Sequence, residues 1–129
     1  MPENYLWINP SDADPLGIET GDMVKVTSPT SHITSPDGYI KIKAKVTELI
    51  RPGVVGISHH YGHWQLSSRP YKVGGNDQGY DPSRGTGAQP NEIMRIGEGM
   101  PSGYIATTLQ ERIGASCSFF DTRVNIQKI

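Results

Sequence analysis

Pro15 to Ser28 reads PLGIETGDMVKVTS, a helix stop, an apolar plug, a turn and a strand in close succession. Gly17 can end the short helix that NPSDADPLG starts from a cap at Asn9 or Ser11, whose oxygen-bearing side chains accept from the orphan amides of a first turn. Ile18 then stands alone among polar neighbours and is expected in the core. Gly21 can supply a positive φ, and the Asp22 carboxylate can accept hydrogen bonds from the turn's own amides. MVKVT alternates apolar and polar residues with the period of a strand that buries one face. A Gly-Asp turn before a strand is common by itself, but here the next segments come in a set order. DGYIKIKAKVTELIRPGVVGIS adds an alternating strand at Tyr39–Val46, a Pro52-Gly53 turn and the nearly continuous apolar run GVVGIS from Gly53 to Ser58. That run suits a strand covered on both sides.

Outward from this block, YLWIN (Tyr5–Asn9) and TRVNIQKI (Thr122–Ile129) are also rich in β-branched or aromatic residues and read as strands. Helical signal is weak, limited to the turn before Gly17 and a second candidate turn at TLQER, Thr108–Arg112. Val73 to Gly103 holds eight glycines and three prolines without sustained periodicity. It is expected to be a long loop, with little buried area to offset the entropy of ordering it unless a ligand acts as template. The fold class is all-β with short helices, and 129 residues are the size of one domain, spanning 1–129.

Composition excludes several functions. Twelve basic residues against thirteen acidic ones give a net charge of −1, without the basic footprint of a nucleic-acid binder. No apolar run approaches the roughly 18 residues of a membrane span, so direct membrane insertion is not expected. MPENYLWINPSD lacks the basic and apolar regions of a secretory signal, which leaves the compartment of a longer parent open. The single cysteine, Cys117, lies in GASCSFF with no adjacent His, Lys or Arg to activate it.

The chemistry concentrates in ISHHYGHW, Ile57 to Trp64, with three histidines and two large aromatics. A zinc site would use His59 and His63, but Gly62 and the preceding strand disfavour the helix that spacing needs, and no second ligand cluster is evident. A hydrolytic base cluster lacks a nucleophile with an oriented partner. A wall for a flat polar ligand fits: glycine permits close backbone approach, and imidazole and indole offer flat surface with hydrogen-bonding groups. In the bland alternative the histidines merely end a strand and Trp64 fills the core.

ENYLWINPSDADPLGIETGDMVKVTS, AKVTELIRPGVVGISHHYGHW, GAQPNEI and FFDTRVNIQKI, in that order, resemble the C-terminal molybdopterin-dinucleotide-binding domain of the dimethyl sulfoxide reductase family. The likeness is greatest to its tetrathionate, thiosulfate, polysulfide and arsenate reductase branch, and it covers most of the chain outside Pro29–Pro36 and Gln65–Arg84. It implies a six-stranded double-psi β-barrel of the aspartate decarboxylase-like type. Only four residues precede YLWINP, where the family usually carries a further strand and a cofactor-contacting loop, which leaves open a barrel short of its first strand.

The resemblance further implies a fragment of a larger catalytic subunit, walling a bis-molybdopterin guanine dinucleotide cofactor with molybdenum or tungsten. The remaining domains of that subunit, together with an iron–sulfur electron-transfer subunit, would be its partners. The isolated chain is expected to be inactive and to lack the cofactor, because the family's metal ligand lies in an earlier domain. By carry-over, His60, Gly62, His63 and Trp64 should lie near the pterin, and Asn91 matches the family's loop asparagine. Asp121, Thr122 and Arg123 match the segment where the family places further dinucleotide contacts. A carboxylate suits a guanine edge and a guanidinium suits a phosphate. No catalytic or metal-ligating residue is expected. Asn91 and Asp121 also have plain readings as turn residues. The rival function is a non-enzymatic double-psi barrel module binding a protein or nucleic acid. A self-cleaving pyruvoyl decarboxylase on the same barrel is excluded by the absence of any Gly-Ser dipeptide.

Overall fold

The computed structural model describes residues 3–29, 38–63, 68–94 and 122–129. These residues form an all-β structure with short helical turns. Five strands, β1 (Tyr5–Ile8), β2 (Met23–Thr27), β3 (Tyr39–Val46), β4 (Val55–Ile57) and β7 (Asn125–Lys128), make one mixed sheet in the order β4-β1-β3-β2-β7. A separate hairpin pairs β5 (Tyr71–Val73) with β6 (Asn76–Gln78).

Alternation decides which face each strand buries. Leu6 and Ile8 of β1, Val24 and Val26 of β2, and Ile40, Ile42 and Ala44 of β3 are buried and form the core with Ala13, Ile18, Ala88 and Ile93. The intervening residues carry the polar face, where Lys25 lies opposite Lys41 and Trp7 opposite Lys45. A one-residue slip would turn every one of these apolar side chains outward, so the burial pattern fixes the register. β3 lies between β1 and β2, parallel to the first and antiparallel to the second.

The Pro15–Ser28 block forms as its residues require. Asn9 caps α1 (Pro10–Ala13) by accepting from Ser11 N at 2.9 Å, and its Nδ2 donates to Ile50 O at 2.7 Å. A 3-10 turn, Asp14–Leu16, continues to Gly17, which takes the left-handed conformation at φ 62°. Gly21 has φ 99°, and Glu19 N donates to Asp22 Oδ2 at 2.8 Å. Lys128 Nζ meets the same oxygen at 2.6 Å, tying β7 to this turn.

Two expectations need correction. GVVGIS is not covered on both sides: β4 pairs only with β1 among the described residues, its three residues are half-buried, and Val54 is 37% exposed. Gly56 explains part of this, since the β4 position opposite Trp7 has no side chain to bury. The expected loop from Val73 also has structure in its described part. Gly74 and Gly75, at φ 57° and 83°, turn the β5–β6 hairpin, the positive-φ pair that matches strand twist in a two-residue turn. Two 3-10 turns follow at Pro82–Gly85 and Pro90–Ile93, the first capped by Asp81 accepting from Ser83 N at 2.9 Å. The candidate turn at Thr108–Arg112 and Cys117 lie outside the described residues.

Candidate functional site

β4 delivers the chain into Ser58–His63, which has no regular structure. His60 is the one non-glycine residue with positive φ among those described, at 72°, and is exposed. This turn sets the His60 carbonyl 3.0 Å from His63 Nε2. Gly62, at φ 68°, donates its N–H to Thr86 O at 2.8 Å. A Cβ at Gly62 would lie 2.6 Å from both Ala88 C and Gln89 N. The close approach this glycine permits is therefore to the chain's own Ala88–Gln89 backbone.

Asn4, which the motif reading passed over, fastens this crossing. It is 3% exposed, and its Nδ2 donates to Ser58 O at 2.7 Å and to Ala88 O at 2.9 Å while its Oδ1 accepts from Ala88 N at 2.8 Å. One buried amide thus joins the start of β1, the exit of β4 and the segment ahead of Asn91. A side chain at Gly87 would collide with Asn4 Oδ1, and Gly87 takes φ 81°.

The expected site residues fall into two places. Gly62 and His63 line a cleft of about 410 Å³ with Ser68, Arg69, Thr86 and Glu92, within the size range of small-molecule sites. Asn91 sits in the adjoining 3-10 turn with an exposed side chain and is not part of this lining. Thr122 and Arg123 instead line a larger opening of about 1220 Å³, with Asp12, Arg51, Gly53 and Val55. Asp12 Oδ2 accepts from Gly53 N at 2.7 Å and holds the Pro-Gly turn beside α1. Trp64 and Asp121 lie outside the described residues.

Two buried side-chain oxygens without a hydrogen-bond partner occur among the described residues, Ser68 Oγ and Thr122 Oγ1. Ser68 belongs to the lining of the smaller cleft and Thr122 to that of the larger. Since buried hydroxyls are nearly always satisfied, each orphan leaves its lining with a group that a polar ligand could meet. Among the described residues no three His, Cys, Asp or Glu side chains gather to hold a metal, and no helix is long and apolar enough to cross a membrane. Ser68 and Arg69 escaped sequence reading because they lie beside the glycine-rich stretch and carry no motif, and Glu92 was passed over beside Asn91 in GAQPNEI. Arg51 was hidden in a Pro-Gly turn.

Fold and clefts define a β-rich domain with two openings, one lined by Gly62 and His63 and the other by Thr122 and Arg123. Residues 1–98 match the family described as Molydopterin dinucleotide binding domain, and the chain belongs to it. It is 40% identical over its whole length to a selenate reductase subunit of Mesobacillus selenatarsenatis, of which it covers 12%. Over 71% of the chain it is 40% identical to the arsenate respiratory reductase molybdopterin-containing subunit of Chrysiogenes arsenatis and 28% identical to a tetrathionate reductase subunit of Salmonella typhimurium, covering 9% and 8% of those proteins. The chain thus spans about a tenth of these relatives' length. The family match includes the histidine segment and Asn91 but stops short of Thr122 and Arg123.

Proposed function

We propose that the chain is the cofactor-walling domain of a larger oxyanion-reducing molybdenum or tungsten subunit, holding part of a bis-molybdopterin guanine dinucleotide. The observation that carries this reading is the pair of orphaned hydroxyls, Ser68 Oγ and Thr122 Oγ1, one in each cleft lining that holds expected contacts. His63 and Gly62, with Trp64 beside them in sequence, would bound the pterin, and His60 would shape the turn that presents them. Asn91 would reach the ligand from the adjoining turn. Thr122 and Arg123 would meet the dinucleotide at the larger opening, with Asp121 next in the chain, because a guanidinium and a hydroxyl suit a diphosphate. The cofactor itself supplies the redox-active metal. This chain's residues bind and orient it and exclude water.

The same sheet bears on assembly. β3 lies between β1 and β2, two strands of opposite direction, as one ψ motif would require, and β4 and β7, at opposite ends of the sheet, line the same large opening. Both features support a double-psi barrel curling around that opening. The single domain 1–129 would pack against the remaining domains of the parent, and an iron–sulfur subunit would pass electrons to it. Replacing His63 and Trp64 together with alanine in the full-length subunit tests the cofactor wall. Molybdopterin content and activity should fall in parallel, since lost packing and unmet hydrogen bonds weaken binding. Unchanged cofactor content in a folded variant would refute it.

A further inference from the structure

The contact between His60 and His63 carries chemical information beyond proximity. A carbonyl oxygen can only accept, so the 3.0 Å approach of His63 Nε2 to His60 O requires a proton on Nε2. In a neutral imidazole the other ring nitrogen then holds a lone pair. His63 is half-buried and lines the 410 Å³ cleft, and no bond to its Nδ1 occurs among the described residues. The backbone that imposes this is unusual, because His60 occupies positive φ, which a non-glycine residue adopts only at some cost. Ser68, 8% exposed with its Oγ unpartnered, belongs to the same lining.

We infer that His63 is held as its Nε2–H tautomer by the His60 carbonyl and serves the cleft as a hydrogen-bond acceptor through Nδ1, recognising an N–H on the amide or amine edge of a fused heterocycle. This rests on the cofactor-wall reading and gives it a direction: His60 acts through its backbone as a positioning residue, and His63 reads a donor on the ligand. Ser68 Oγ, which both donates and accepts, complements His63 because the edge of a pterin or guanine alternates N–H donors with a carbonyl acceptor.

Long-range nitrogen–proton NMR on the 129-residue chain, at mildly alkaline pH where imidazole is neutral, reads the tautomer directly, with His63→Gln for assignment. A protonated Nε2 and a bare Nδ1 are expected. His60→Gly, which adopts positive φ freely and keeps the carbonyl, should retain that pattern. A dominant Nδ1–H form would overturn the inference whatever the cofactor does. In the full-length holoenzyme, two partial isosteres separate the nitrogens: His63→Asn keeps an acceptor near Nδ1, and His63→Gln keeps the group near Nε2. With released guanine nucleotide and pterin fluorescence as readout, His63→Gln should lose cofactor about five- to tenfold faster than His63→Asn, the effect of one hydrogen bond. Equal loss by both variants, or faster loss by His63→Asn, would overturn the acceptor assignment. Full retention by His63→Ala would instead remove the cofactor wall on which it rests.

Discussion

Replacing Asn4 with alanine should destabilise the chain far more than its position near the N-terminus suggests. The side chain makes three hydrogen bonds of 2.7 to 2.9 Å to Ser58 and Ala88, and both Asn4 and Ala88 are buried. A net contribution of about 1 kcal/mol for each of the two donated bonds, with about 1–3 kcal/mol for leaving the buried Ala88 N–H unmet in place of the third, brings the expected loss to about 3–5 kcal/mol. Domains are usually stable by only about 5–15 kcal/mol, so this is a large fraction. Urea denaturation of the chain measures it, and hydrogen exchange should show loss of protection concentrated at Ala88.

Asn4→Asp separates the donor from the acceptor. It preserves Oδ1 but sets a second oxygen against the Ser58 and Ala88 carbonyls, so it should be worse than alanine at neutral pH. Its folded-state carboxyl would have a raised pKa, since protonation restores a donor. The stability gained from that proton is fully present below the unfolded value and is lost as pH rises through the folded one. The gap between aspartate and alanine should therefore close on acidification. An Asn4→Ala cost within about 0.5 kcal/mol, the range of ordinary surface changes, would refute the idea that this amide fastens the histidine segment to Ala88.

Three further outcomes are expected. Gly62→Ala should cost more than the roughly 1–3 kcal/mol of a strained backbone position, because its Cβ would press on Ala88 and Gln89, whereas Gly74→Ala, with nothing within 4 Å, should cost only the strain; thermal unfolding compares them. Asn9→Ala removes the cap of α1 and the bond to Ile50 and should cost about 1–2 kcal/mol by denaturant titration. The hydrogen bond from Lys128, then that from Glu19 N, holds the Asp22 carboxyl below its ordinary value, so its stabilisation is present above the unfolded pKa and lost as pH falls through the folded one. In Lys128→Met, carbon-detected titration should find the Asp22 pKa moved back upward.

The sequence by itself determined the local pieces of this protein. Alternation in MVKVT and YIKIKAKV named both strands and their buried faces, and Asn9, Gly17, Gly21 and Asp22 announced cap, stop and turn, because each acts through bonds a few residues away. The ordered set of motifs also identified the family, and His63, one of the residues it singled out, lines a cleft. Tertiary structure decided whatever depends on distant chain. Asn4 matters because Ala88, eighty-four residues on, needs a partner. Gly62 is crowded by Ala88 and Gln89, and GVVGIS ends up half-buried, because neither surrounding is encoded in the segment's own residues. The division of the expected contacts between two openings, and the orphaned hydroxyls in each, arise from which distant segments the fold brings together. A hydroxyl's need for a partner is visible only once everything around it is in place.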